Sequence, residues 1–247
     1  MSQNQLFTIL DAVESTNNYA MAKLHAGLAV NGEAWFARDQ WGGKGQRHNK
    51  WLTQKDENLI MTIILKPDKV FRNKMFFFNT IVACTCHQFF SILSGEGTFI
   101  KWPNDIYFND RKAGGILIEN VFSGHSWEWA VVGIGININQ TDFGSVGAKS
   151  TSLKIICKQI FDPIELAKQL HLKLLQNFEK AAESSQGFYL NYYNEYLYKK
   201  GISVKLKKEN IVFQTTVKGV NINGQLITSD AIERQFNSGE IKWLFTE

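Results

Sequence analysis

The chain has 247 residues, 44% of them hydrophobic and 20% charged, with a formal net charge of +4. That length holds one substantial core and a small appended unit, and the composition is that of an ordinary soluble globular protein. The mild charge permits an acidic partner but does not by itself point to nucleic acid. No apolar run reads as long enough to span a bilayer, and residues 1–6 lack the architecture of a signal peptide. Cys84, Cys86 and Cys157 have no metal-ligand spacing and read as reduced thiols in a cytoplasmic protein.

In chain order, Ser15-Thr16 forms an N-cap pair ahead of a helix to about His25, which Gly27 ends. A strand over 33–38 delivers Asp39-Gln40 to a glycine-rich basic loop. Residues 58–65 are a near-continuous apolar strand, stopped by Lys66-Pro67. Helical periodicity covers 75–93, with Gly95-Glu-Gly97 as the break, and strands dominate 99–138. Asp162-Pro163 opens a helix to about 183, and a second helix runs over about 187–198. After Lys199-Lys-Gly201 come short strands at 202–206, 211–220, 226–229, 232–236 and 241–245, with Asn223-Gly224 as a hairpin signal. The reading is an α+β fold in two units, 1–198 and 199–247.

Three segments carry chemical character. In Lys101-Trp-Pro-Asn-Asp105, followed by Arg111-Lys-Ala-Gly-Gly-Ile116, a carboxylate and a lysine lie a few residues apart, with two glycines behind the lysine. Asn109-Asp110 is a turn signal between strand-like runs, placing Lys112 at the start of the second, where Gly114 and Gly115 leave room for a ligand. Taken alone, this is equally a surface hairpin with a solvated lysine. In Gly42-Gly-Lys-Gly-Gln-Arg-His-Asn-Lys-Trp51, glycines let backbone N–H groups turn toward an anion, and Lys44, Arg47 and Lys50 make the loop cationic. It is not a P-loop, because no Gly-Lys-Ser/Thr closes it, and alone it also reads as a flexible linker. Val131-Val-Gly-Ile-Gly-Ile-Asn-Ile138 alternates as a buried strand, glycines on one face and Ile134, Ile136 and Ile138 on the other. It lacks the third glycine and the helix of a dinucleotide fingerprint.

With Glu14-Ser-Thr-Asn17 ahead of them, these motifs in this order resemble the biotin–protein ligases, also called biotin–[acetyl-CoA-carboxylase] ligases, from about residue 8 to the C-terminus. The resemblance implies a mixed β-sheet catalytic domain flanked by helices, of the class II synthetase and biotin–lipoyl ligase type, with a small SH3-like β-barrel at the C-terminus. It implies ATP-dependent biotinylation of a lysine on a biotin carboxyl carrier protein or domain of a carboxylase, through biotinyl-5′-AMP, with Mg²⁺. Because Ser15-Thr-Asn lies almost at the N-terminus, the expectation is a stand-alone ligase without a winged-helix domain or operator-type DNA binding. No membrane association is expected. The exposed edge of the central sheet is available to the carrier or to a second copy in a homodimer.

Carried over position by position, Lys112 contacts the biotin carboxylate and the α-phosphate, and Asp105 orients and deprotonates the acceptor amine or holds Mg²⁺ directly or through water. Asp105 also reads as a turn cap. Ser15, Thr16, Asn17 and Gln40, with Gly43, Lys44, Gly45 and Gln46, meet biotin, and Gly115 and Gly133 line its pocket. Ser15 and Thr16 have helix capping as their bland alternative. Lys44, Arg47, Asn49, Trp51, Lys112 and Asn137 serve ATP, Trp51 by stacking and Asn137 by its amide, unless Trp51 is simply a core tryptophan. Two positions depart from the family's Gly-Arg-Gly-Arg/Gln-Arg-Gly loop: Lys44 lacks the planar fork of arginine, and His48 replaces a glycine. Both departures point to a looser hold on the adenylate. The alternatives are a lipoate or octanoate ligase of the same fold, disfavoured by the missing Arg-Arg-x-x-Gly-Gly-Gly segment, and a non-catalytic binding module, which would not need Lys112 with Asp105.

Overall fold

The computed structural model describes residues 6–144, 149–181 and 186–244, leaving out the side chain of His48. The expected element ends at 183 and 245, the reading of residues 1–5, and the His48 side chain therefore lie outside the described residues. Seven strands build the first sheet: β1 (Phe7–Leu10), β2 (Ala34–Ala37), β3 (Asn58–Leu65), β4 (Thr98–Lys101), β5 (Asp105–Phe108), β6 (Arg111–Ser123) and β7 (Ser126–Asn137). Their order is β1-β2-β3-β7-β6-β5-β4. Only β1 and β2 pair in parallel, so the sheet is mixed.

The apolar strand β3 is buried on both faces because both faces of the sheet are covered. On one side lie α2 (Met75–Ser94) and α4 (Pro163–Ala181). Phe77, Phe78, Leu170 and Leu174 pack there on Leu59, Met61, Ile63, Ile134 and Ile136. Phe78 sits at the centre of an aromatic cluster, 4.5 Å from Phe178 and 5.3 Å from Phe71 between ring centroids. Each such side chain contributes roughly 1.5–3 kcal/mol by leaving water. On the other side α1 (Thr16–His25) covers Trp35, Ile64 and Val131 through Ala20. Ser15 caps α1 from an extended conformation, its hydroxyl accepting from Asn18 N.

α2 corrects one sequence reading. Its 20 residues, with mean hydropathy 1.4, are long and apolar enough to cross a bilayer, yet 67% of that window is buried inside the fold. Its apolar character is that of a central core helix, with nearly every face in contact.

Two elements were not expected. β1 has only four residues, two of them exposed, and offers too short a pattern to read. α3 (Leu153–Cys157) is five residues long, capped by Ser152 and ended by Lys158 in the left-handed region. After α5 (Gln186–Glu195), the chain builds a second sheet from β8 (Ser203–Lys208), β9 (Ile211–Val220), β10 (Leu226–Ser229), β11 (Glu233–Phe236) and β12 (Lys242–Leu244). It is antiparallel, in the order β11-β10-β9-β8-β12, and fits a small barrel-like unit.

The two sheets meet at the Lys101–Asp105 segment. The Trp102–Pro103 peptide is cis. Trp102 Nε1 donates to Gly224 O at 2.9 Å in the β9–β10 turn, and Tyr193 Oη of α5 donates to Pro103 O at 3.0 Å. Residues 196–198 occupy the outer side of β4, with Ile100 N donating to Tyr196 O and Tyr198 N to Ile100 O. The segment is thereby fixed from three directions.

Candidate active site

The β5–β6 hairpin sets the centre of the site. Asp105 pairs with Gly115 and Ile106 with Gly114, but Tyr107 pairs with Lys112, so Ala113 is the extra residue of a β-bulge. In regular register Lys112 would point to the opposite face from Asp105, since side chains alternate along a strand. The bulge returns it to the Asp105 face. Lys112 Nζ consequently lies 2.6 Å from Asp105 Oδ1, the two side chains 33% and 19% exposed. The bulge is held from behind: Lys112 N donates to Lys149 O, and Thr151 N donates to Lys112 O.

Lys112 and Asp105 open onto a cavity of about 580 Å³ on the α1 side of the sheet. Its walls include six cationic side chains (Lys44, Arg47, Lys50, Lys101, Lys112, Lys242) against one carboxylate, Asp105, which suits an anionic ligand. Lys101 pairs directly with Asp105 across β4–β5 and so shares its face. Burial lowers the Lys101 ammonium below its ordinary pKa; Asp105 opposes the shift and Lys112 adds to it.

At the far end the polar groups are tied together. Thr16 N and Oγ1 donate to Gln40 Oε1 at 2.8 and 3.1 Å. Thr62 Oγ1 donates to Asn17 Oδ1 at 2.7 Å, and Asn17 Nδ2 donates to Glu119 Oε2 at 2.7 Å. Ser15, Thr16, Asn17 and Gln40 are all buried. The glycine face of β7 makes this possible: a Cβ at Gly133 would stand 2.2 Å from Asn17 Oδ1, and one at Gly135 would stand 2.5 Å from the Trp51 indole.

The basic loop folds over the cavity as a small closed turn, with Gly45 N donating to Asn49 O and Trp51 N to Gly43 O. Lys44 Nζ donates to Asn18 Oδ1 at 2.6 Å. The left-handed residue is Arg47 (φ 56°), whose Nη2 donates to Ser238 Oγ at 3.2 Å in the turn before β12. Trp51 lies over Gly115 and Gly135, its ring centroid 5.7 Å from Lys112 Nζ.

The structure therefore gathers Ser15, Thr16, Asn17, Gln40, Lys44, Gly45, Gln46, Arg47, Asn49, Trp51, Asp105, Lys112, Gly115 and Gly133 around one cavity. Gly43 and Asn137 are not on its wall. Gly43 lets the loop close, since a Cβ there would stand 2.4 Å from Trp51 O. Asn137 Nδ2 donates to Thr151 O at 3.0 Å and reaches Lys112 O at 3.5 Å, which places it behind the Lys112 bulge. Sequence reasoning missed Lys101, although it opens the motif that was read, and it missed Thr62 and Glu119, which meet Asn17 only through the sheet. It also missed Ile241, Lys242 and Trp243, wall residues at the start of β12 and just before it.

The pattern of the biotin/lipoate A/B protein ligase family matches residues 9–137, just over half of the chain and all of the first sheet except the first half of β1. The chain belongs to that family. It is 33% identical over 149 residues to the biotin–[acetyl-CoA-carboxylase] ligase of Paracoccus denitrificans, covering 58% of this chain and 59% of that protein. It is 28% identical over 131 residues to the bifunctional ligase/repressor BirA of Escherichia coli, covering 53% of this chain and 39% of the other. The chain thus spans about two fifths to three fifths of these curated relatives. Among solved structures, a biotin protein ligase variant from Aquifex aeolicus in complex with biotin superposes with TM-score 0.79 at 25% identity, over 97% of this chain and 98% of that one. The same enzyme with biotin and ATP gives TM-score 0.81 at 24% identity, a likeness of fold. The mixed seven-stranded sheet flanked by helices matches the fold of those structures, and the small C-terminal antiparallel sheet fits a barrel-like unit.

Proposed function

We propose that the protein attaches biotin to a lysine of a biotin carboxyl carrier protein or domain, using ATP and passing through biotinyl-5′-AMP. The observation that carries this reading is the Lys112–Asp105 pair at the mouth of a cationic cavity whose far end is a fixed polar cluster. The first step joins two anions, the biotin carboxylate and the α-phosphate. At 4 Å, two unit charges repel by about 4 kcal/mol at an effective dielectric near 20, so a cation between them is required. Lys112, re-aimed by the bulge, stands where that cation is needed and stabilises the charge that builds on the phosphate as the carboxylate oxygen attacks and pyrophosphate leaves.

Thr16, Asn17 and Gln40 supply the few oriented polar groups that a ureido ring asks of an otherwise apolar slot. A lipoyl or octanoyl chain has no use for them, which favours biotin within the family. In the second step the acceptor lysine, with an ordinary pKa of about 10.4, must shed a proton at a cost of roughly 4–5 kcal/mol near neutral pH. Asp105 is the cavity carboxylate able to orient that ammonium and take its proton. The amine then attacks the acyl carbon, and AMP departs.

Among the described residues no three His, Cys, Asp or Glu side chains converge on a metal position. Asp105 together with nucleotide phosphates is nevertheless a donor set that fits Mg²⁺, which keeps several waters and takes one or two carboxylates. Bound there, the ion would neutralise the polyphosphate. Free thiols at Cys84, Cys86 and Cys157 support a cytoplasmic setting. Because residues 196–198 already cover β4, any pairing with a second copy is assigned to β1. The test is mass spectrometry of a carrier domain incubated with the protein, biotin and MgATP. A gain of one biotinyl group on a single lysine supports the reading; an unmodified carrier, with lipoyl addition in a parallel tube, replaces it with lipoylation.

A further inference from the structure

The hydrogen bonds at the polar end of the cavity run in one direction, and a carboxylate off the cavity wall sets it. Glu119 follows Gly115 and Leu117 on the cavity face of β6, and its Oε2 accepts from Asn17 Nδ2 at 2.7 Å. Among the described residues no cation pairs with this carboxylate. A carboxylate only accepts, so it fixes which end of the Asn17 amide faces it and turns the carbonyl end to Thr62. Thr62 Oγ1 donates to Asn17 Oδ1 at 2.7 Å, which spends its single proton. Thr16 Oγ1 then has two acceptors beside it, Thr62 Oγ1 at 2.8 Å and Gln40 Oε1 at 3.1 Å. Whichever takes the Thr16 proton, that proton points into the network, and the hydroxyl meets a ligand as an acceptor. Gln40 Oε1 is also held by Thr16 N at 2.8 Å, which leaves the Nε2 group as the donor at the same end. A cyclic urea presents the complement, N–H donors beside a carbonyl acceptor.

We propose that Glu119 is a positioning residue for the ring: acting through Asn17 and Thr62, it sets the hydrogen-bond direction that makes the Thr16 hydroxyl an acceptor for a cyclic urea N–H. An amide at position 119 lets the chain run either way, because Asn17 can then turn over. In the reverse sense Thr62 donates to Thr16, which uses one acceptor site of that hydroxyl and frees its proton to face the ligand. The inference rests on the biotin reading above and names what selects the ring.

The test is titration calorimetry of the full chain with biotin and with desthiobiotin, beside scanning calorimetry and the KM for ATP in pyrophosphate exchange. The proteins are wild type, Glu119→Gln, Thr62→Val and the double variant. Glu119→Gln is expected to raise biotin Kd about three- to tenfold, the step from a charge-assisted to a neutral hydrogen bond. Its Tm should stay near wild type, since the two side chains match in size, and KM for ATP should stay within about twofold. Desthiobiotin keeps the cyclic urea without the sulfur ring and should lose the same factor. Thr62→Val keeps the branched shape, breaks the chain and should weaken biotin at least as much; adding Glu119→Gln should then cost no more than about twofold. Unchanged biotin Kd in Glu119→Gln would overturn the proposal. So would a lowered Tm with weakened use of ATP, since that is lost packing, or a loss confined to biotin and spared with desthiobiotin. Effects that multiply in the double variant would overturn the route through Thr62. A wild type that binds neither cyclic urea would remove the biotin reading itself, and this inference with it.

Discussion

Replacing Gly133 with alanine is expected to dismantle the polar end of the cavity while barely altering side-chain volume. The added Cβ would stand 2.2 Å from Asn17 Oδ1, 2.9 Å from its Cγ and 3.1 Å from its Nδ2, so the carboxamide has to leave. Two hydrogen bonds go with it: the one accepted from Thr62 and the one donated to the Glu119 carboxylate. A neutral bond contributes about 0.5–1.5 kcal/mol and one to a charged group about 1.5–3 kcal/mol, so the loss is about 2–4.5 kcal/mol. For a chain of this size that lowers Tm by about 5–15 °C. Biotin affinity is expected to fall at least about tenfold, because a ureido ring loses its oriented partner. Differential scanning calorimetry and biotin titration calorimetry read the two effects. In an Asn17→Ala background the same alanine should cost little, since the atom it strikes is gone; this non-additivity ties the effect to the contact. A Gly133→Ala protein with wild-type Tm and biotin Kd would refute the reasoning. A lowered Tm with intact biotin Kd would leave Asn17 as a structural clamp and remove it from the ligand site.

Three further outcomes are expected. Asn137→Ala removes the donor to Thr151 O and loosens the clamp on the Lys112 bulge; Tm should fall with a loss of about 1–3 kcal/mol, and the exchange rate should drop with biotin Kd unchanged. Lys44→Arg with His48→Gly is expected to cut bystander biotinylation of free lysine about fivefold, the worth of one more hydrogen bond of about 1 kcal/mol; equal leakage in both proteins would sink the loose-loop idea. His87 and His171 are buried, and burial holds both below the ordinary histidine pKa of 6.5 despite backbone hydrogen bonds to Thr98 and Gly32. Between that value and the lower folded-state values the unfolded chain binds more protons, so stability is fully present above pH 6.5 and declines as pH falls below it. Tm should therefore decrease from pH 7 to pH 5, less steeply in His171→Gln; equal slopes would remove His171 from the cause.

How much the sequence disclosed depended on the range of the interaction. The bounds of α1 and β3 follow from local signals: the Ser15 cap, and an apolar run stopped by Lys66-Pro67. The glycine face of β7 was legible because alternation is a property of neighbours in the chain. Which groups meet those glycines was not, since Asn17 and Trp51 arrive from more than 80 residues away. The bulge at Ala113 left no local mark, because Arg-Lys-Ala-Gly-Gly fits either register; what fixes it is the backbone of 149–151. That Lys101 and Trp243 line one cavity was invisible for the same reason, although each lies in an element whose strand character was read. Asn137 is a different case. An amide next to a glycine-rich strand suggests a ligand contact, and only the fold shows that its Nδ2 also donates to Thr151 O behind the Lys112 bulge.

The most direct measurement on the central claim is ATP–pyrophosphate exchange with Mg²⁺, wild type beside Lys112→Ala, with biotin and with lipoate as the acid. The account predicts exchange with biotin that collapses when Lys112 is removed. Exchange with lipoate alone, or undiminished biotin exchange in the variant, would contradict it.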